Sequence, residues 1–269
     1  MRWPGTRVAS GVLAVLLVVI VVGPLVAPYD PAAPVGLPYE PPTPQALLGT
    51  DALGRDLLSR ILDGGLPMLG TALAGAVAGS ALGTVAGLLA AWWDGRSGRS
   101  RWVEGAVLRP LDTLAIVPPM LLVLLILTAF TGHAGLVLAV ALTGVPLSAR
   151  VLRAAAAPVV TRAHVEAAVA RGEGPAWIVG RELLPLVAGP LVADLGIRFV
   201  AAIYVVTAAG FLGVGPSGTD WGTLIVEALP GVELAPLLLA VPVVLVALLA
   251  VSVTVLADDA VRRSRAVLA

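Results

Sequence analysis

The sequence predicts an all-α integral membrane protein with six transmembrane helices, and three observations carry that reading. Hydrophobic residues make up 58% of the chain and charged residues only 13%, far beyond the apolar content of a soluble domain. The apolar residues are gathered into runs close to the ~20 residues that a bilayer core demands. The arginines between those runs fall almost entirely on one side when the runs are threaded through a membrane in order. A net charge of zero, with no basic run or basic-aromatic patch, argues against nucleic acid as a partner. Absence of cysteine removes disulfides, thiolate metal sites and a catalytic thiol. Every basic side chain other than histidine is arginine, and a chain without lysine cannot build a standard P-loop, whose lysine reaches the nucleotide phosphates.

Met1 to Arg7 carries Arg2 and Arg7, and Val8 to Ala27 is almost wholly apolar. This run is longer than the apolar core of a signal peptide, and Pro28 follows the one plausible cleavage residue, Ala27, so it reads as an uncleaved first span. Tyr29 to Gln45 holds Pro31, Pro34, Pro38, Pro41, Pro42 and Pro44 and is expected to be extended and solvated. Leu48 to Arg60 reads as an amphipathic surface helix capped by Thr50 or Asp51.

Leu66 to Trp93 is the second span. Its Gly75, Gly79, Gly83 and Gly87 recur every fourth residue, which places them on one helix face and makes that face a close-packing ridge, with Trp92 and Trp93 at the interface. Asp94 to Arg109 is a basic loop. Leu111 to Phe130 is the third span, with a kink expected at Pro118-Pro119 and with Asp112 close enough to Arg109 for a structural pair or a helix-start cap. Thr131 to Gly135 reads as a tight turn with a solvated His133, and Leu136 to Val151 as a short fourth span.

Leu186 to Leu212 is the fifth span. Asp194 and Arg198 lie four apart on one face of it and can neutralise each other as an intramembrane ion pair, read as a strut facing the bundle, with a pair lining the translocation path as the alternative. Gly215 to Gly218 spells G-x-S-G, the nucleophile motif of an intramembrane serine protease, but both histidines, His133 and His164, precede Ser217, so a later histidine base is missing. Leu237 to Ala257, after Pro236, is the sixth span and is followed by Arg262, Arg263 and Arg265.

Under this threading Arg2, Arg7, Arg96, Arg99, Arg101, Arg109, Arg150, Arg153, Arg162, Arg171, Arg181, Arg262, Arg263 and Arg265 share one side, and only Arg55 and Arg60 occupy the other. Both termini are therefore expected in the cytoplasm. The chain divides into a first segment, 1–28, an extracytoplasmic segment, 29–65, a five-helix core, 66–257, with a cytoplasmic loop at 154–185, and a tail, 258–269.

Thr161 to Pro185 stands out as a polar island between apolar spans. Arg162, Glu166, Arg171, Glu173, Arg181 and Glu182 crowd into it, and Gly172, Gly174 and Pro175 divide it into two short helices joined by a turn. Glu166-Ala167-Ala168, then Gly172, then Leu184-Pro185 resembles the E-A-A loop of importer-type ABC-transporter permease subunits. Ala27-Pro-Tyr-Asp-Pro31 followed by L-G-T-D-x-L-G-R-D-x-L-S-R at Leu48 to Arg60 is similar to the amino-terminal region of the second permease of dipeptide, oligopeptide and nickel importers. The resemblance runs from Ala27 to roughly Arg263 and takes in F-L-G-V-G at Phe211 to Gly215 and Trp221-Gly222.

What the resemblance implies is a type I importer permease in the cell membrane, forming half of the pathway for a peptide or a related solute such as a nickel chelate. It implies a second permease subunit, two ATP-binding subunits that carry ATP and Mg, and an extracytoplasmic solute-binding protein. Glu166 would contact the ATPase, Gly172 would permit the turn, and Leu184-Pro185 would fix the return into the fifth span, with Ala167, Ala168 and Trp177 packing into a groove of the partner. The competing reading, a self-contained transporter driven by an ion gradient, calls for internal repeats and paired broken helices; no repeat is visible in the sequence.

Overall fold

A glycine ridge and the helix it touches organise the computed structural model, which describes residues 4–94, 100–216 and 218–268. Arg2, Arg96, Arg99 and Ser217 lie outside the described residues. In order the helices are α1 (Pro4–Val26), α2 (Leu57–Asp94), α3 (Ser100–Ile116), α4 (Pro119–Ala129), α5 (Gly132–Val160), α6 (Ala163–Ala170), α7 (Pro175–Trp177), α8 (Ala188–Phe211), α9 (Trp221–Ala228) and α10 (Leu237–Leu268). No strand forms among the described residues, only the isolated bridges Pro34 to Arg55 and Thr50 to Asp56.

α2 and α5 pack along most of their length. A Cβ built on Gly75 would stand 2.5 Å from the Val140 side chain, one on Gly79 2.7 Å from the Ala141 carbonyl, and one on Gly83 2.5 Å from Ser148 Cβ. At Gly87 the added atom would collide with the Ala149 carbonyl oxygen. Such distances leave no room for a side chain, so the two backbones meet directly. In hydrocarbon that approach is the main source of helix association, because lipid is as apolar as leucine and gives little hydrophobic drive.

Around this pair the main core gathers Ile20 of α1, Met68 of α2, Ile126 of α4, Leu136 of α5, Ile203 of α8, Trp221 of α9 and Leu249 of α10. Large apolar side chains also face outward, among them Val18 and Leu25 of α1, Leu125 of α4 and Val251 of α10, as expected where lipid rather than water is the solvent. Five helical runs are long and apolar enough to cross a bilayer, and six crossings result when the bent α3–α4 pair counts as one.

Three expectations are corrected. The third span is not kinked but broken: its two halves meet at 101°. Pro119 occupies the first turn of α4, and Pro118 before it is extended at φ −56°, ψ 132°, because a residue preceding proline is pushed out of helical conformation. The stretch Leu48 to Asp56 is not a surface helix. It is a turn with Thr50 and Asp51 buried, and α2 starts only at Leu57, where the Asp56 carboxylate accepts from Ser59 N at 2.8 Å and from its hydroxyl at 2.6 Å. Finally, α5 begins at Gly132, so His133 belongs to a helix and not to a free turn.

Replacing Gly79 by alanine should lower the melting temperature of the purified protein in detergent by several degrees, through an overpacking penalty of ~1–3 kcal/mol. Gly70 on the same helix has nothing within 4 Å of its virtual Cβ, and Gly70→Ala should leave the melting temperature unchanged or slightly raised.

Candidate functional site

Three polar clusters stand out from the apolar bundle, one at each end and one inside it. At one end, α6 buries Val165 and Ala168, three residues apart, in a second core with Leu88, Leu152, Ile178 and Leu183. Its other face presents Glu166 and Ala167, and the Glu166 side chain makes no hydrogen bond or ion pair among the described residues. The helix stops in a double turn: Gly172 N donates to the Val169 carbonyl at 2.9 Å and Glu173 N to the Ala168 carbonyl at 3.2 Å. That pairing needs a left-handed residue after the last helical one, and Gly172 supplies it at φ +82°.

Pro175 then opens α7, followed by a π-helical turn, Ile178–Leu183, and a 3₁₀ turn, Leu184–Val187, that carries Pro185 and leads into α8. Arg171 joins the pieces loosely. It lies 6.0 Å from the Trp177 ring centroid, 3.6 Å from Glu173 and 3.9 Å from Glu182. Glu182 is also 4.0 Å from His164. Ala168, expected to reach a partner, is instead fully buried against this chain's own helices. Small size at that position serves internal packing, and the outward surface is left to Glu166, Ala167 and the half-exposed Trp177.

At the opposite end, four charges close on one another. Arg60 Nη1 lies 2.6 Å from Asp51 Oδ2 and 2.6 Å from Glu227 Oε2, while Arg55 reaches the same two carboxylates at 2.7 and 3.1 Å. With Trp221 Nε1 donating to the Ile61 carbonyl at 2.9 Å, the cluster ties the start of α2 to α9. Beside it a cavity of about 200 Å³ is lined by Asp63, Thr71, His133 and Asp220 among others. His133 is not merely solvated, since its Nδ1 sits 3.2 Å from the Thr71 hydroxyl. Asp220 caps α9 by accepting from Thr223 N at 2.9 Å, and Thr223 Oγ1 lies 3.1 Å from Asp220 N. Burial pushes the Asp220 carboxyl above the usual aspartate range, against hydrogen bonds from the Thr223 and Gly222 backbone that pull the other way.

Inside the bundle, Arg198 Nε lies 3.3 Å from Asp194 Oδ1. The Ser148 hydroxyl of α5 donates to Asp194 Oδ2 at 2.5 Å. The sequence reading missed this serine, which carries no signal of its own in an apolar span. It also misassigned Asp112: its partner is Arg150 of α5, at 2.6 Å, and not Arg109. The α3 helix turns Asp112 toward α5, a tertiary choice that spacing along one helix cannot reveal. Glu227 as the counter-charge of Arg55 and Arg60 was missed too, although two arginines on the side where arginine is rare were a signal that a carboxylate must meet them.

The described residues form an all-helical bundle of membrane-spanning helices with a short-helix module at one end. A family model for the binding-protein-dependent transport system inner membrane component matches residues 83–265, and the chain belongs to that family. A putative peptide transport system permease protein of Brucella suis is 32% identical over 222 residues, covering 79% of this chain and 72% of the relative. A di/tripeptide transport system permease protein of Pseudomonas aeruginosa is 31% identical over 261 residues, covering 93% and 84%. Among solved structures, an inward-facing MetNI methionine ABC transporter matches with TM-score 0.62 at 20% identity, covering 77% of this chain and 96% of that one; the likeness is one of fold. The chain is thus a multi-pass permease subunit of an ATP-driven importer, and a self-contained ion-gradient transporter is not favoured.

Arg60, with a side chain only 3% exposed, should be far more sensitive than Arg55. Arg60→Ala removes the most buried member of the cluster and leaves Asp51 and Glu227 to share Arg55 alone, so it should destabilise the protein by up to ~3 kcal/mol, more than Arg55→Ala, which removes the more exposed arginine; denaturation midpoints measured side by side check this. Asp220 supplies a pH prediction. Because its folded value is raised, its favourable contribution is complete below the ordinary aspartate value and is lost as pH rises through the folded value. Asp220→Asn keeps a capping oxygen, so it should gain thermal stability relative to the parent as pH is taken from acid to neutral.

Proposed function

We propose that this chain forms half of the translocation pathway of an importer for peptides or chemically related small solutes, working beside a second permease subunit. Two ATP-binding subunits hold ATP and Mg and hydrolyse the nucleotide. An extracytoplasmic binding protein delivers the solute. The kinship with relatives named for peptide, di/tripeptide and glutathione transport supports the solute class. The placement is the cell membrane, with both termini and loop 154–185 in the cytoplasm and residues 29–65 outside, as the arginine bias favours.

The observation that carries the mechanism is the α6–α7 module. It is seated on its own small core with α2 and α5, so a push on its outer face is delivered to the bundle as a rigid-body displacement and not absorbed by a loose loop. Glu166 and Ala167 form the face gripped by the ATPase subunit, in the manner of a helix laid in a groove. Gly172 sets the angle between the two short helices. Leu184 and Pro185 transmit the movement into α8. Closure of the two ATPase subunits on ATP tilts the helices so that the pathway opens to the outside, and hydrolysis returns them.

Glu166→Arg tests this reading. The side chain is exposed and unpaired, so the variant should keep the parent's melting temperature. It should lose most of the co-purifying ATPase and at least about tenfold of solute-stimulated ATP hydrolysis in proteoliposomes, as expected when one charged anchor at an interface centre is reversed. Full coupling in Glu166→Arg would remove the module from the role given to it.

A further inference from the structure

Both carboxylate oxygens of Asp194 are engaged from within the protein. One carboxylate oxygen accepts from the Ser148 hydroxyl and the other from Arg198 Nε, and the side chain is 1% exposed. Arg198 is the outward half of the pair. Its side chain is 14% exposed, and its two terminal amino groups make no hydrogen bond to any described residue. A guanidinium carries five N–H donors, and within a membrane span the remaining ones must find protein, water or a ligand. Arg198 lines a cavity of about 100 Å³ together with Gly75, Pro119, Thr143, Gly144 and Ala201. That volume has room for several waters, and so for a carboxylate group with part of its hydration.

We infer that Arg198 is a solute-reading residue whose terminal amino groups take the C-terminal carboxylate of a peptide in transit. The inference rests on the peptide reading above. Every linear peptide presents that carboxylate whatever its side chains, so one fixed cation serves many sequences, and the planar fork of arginine matches it with two parallel hydrogen bonds. Asp194 has two tasks here. By holding Nε it fixes the guanidinium in the wall of the cavity between α2, α4, α5 and α8 and leaves the terminal nitrogens for a ligand. By cancelling most of the charge it keeps the attraction weak enough for the solute to leave, which a conducting site requires. Pro119 in the cavity wall starts α4 at the 101° break, so this subsite adjoins the least regular backbone of the core.

The test uses the complete assembly in proteoliposomes, with trialanine and trialanine C-terminal amide as probes at equal concentration. The readout is the ratio of acid to amide uptake in the parent and in the double variant Arg198→Gln/Asp194→Asn. The double variant removes both charges together and leaves none uncompensated in the core, and retention of the ATP-hydrolysing partner reports its folding. Since both assemblies face the same binding protein, its own preference cancels. The expected result is a ratio about tenfold lower in the double variant, the factor appropriate to one charge-assisted pair, with Arg198→Lys recovering part of the preference for the acid. An unchanged ratio, with acid and amide falling together or not at all, makes the pair a strut or an anchor for a neighbouring permease and overturns the inference. Should the parent assembly couple ATP hydrolysis yet import neither probe, the peptide reading itself fails and the inference goes with it.

Discussion

Direct backbone contact between α2 and α5 is the constraint on which the rest of the structure depends. Gly75, Gly79, Gly83 and Gly87 remove side chains from one face over more than three turns, and Val140, Ala141, Ser148 and Ala149 fill the space. With no water to expel between helices in lipid, only such close fit and polar contact can hold them together. Fixing α5 against α2 places Ser148 beside Asp194, Arg150 opposite Asp112 and the end of α5 next to α6. The pair inside the bundle and the short-helix module at its end thus take their positions from a ridge built only of glycine.

Charge follows the same logic of containment. Arg55 and Arg60, the exceptions to the arginine bias, are held with Asp51 and Glu227, so the cluster is neutral as a unit. Asp194 and Arg198 neutralise each other inside the bundle. By contrast Glu166 stands uncompensated on the surface. The charges that hold the fold together are paired within the chain, and Glu166 is left on the surface, where a partner can reach it.

Much of this was legible in the sequence because its signals are local or periodic. A four-residue glycine spacing, the Asp194 and Arg198 separation of one helical turn, and the helix stop at Gly172 each need only neighbouring residues to be read. What escaped was set by tertiary contact. Thr50 and Asp51 look like surface caps until the proline-rich segment folds over them, with Thr50 Oγ1 donating to the Leu37 carbonyl at 2.5 Å. Ala168 looks like part of an outward motif until Leu88 and Leu152 are found beneath the helix. Ser148 and Glu227 gain meaning only from partners 46 and 167 residues away. The double proline at 118 and 119 was visible, but the size of the break depends on what packs on either side of it.

The broken third crossing carries a consequence for the subunit on its own. Two rods meeting at 101° cannot both run along the membrane normal, and α4 with 11 residues reaches only about 16 Å at ~1.5 Å per residue, roughly half the ~30 Å hydrocarbon thickness. On that flank the surrounding lipid must thin or dimple to meet the short rods.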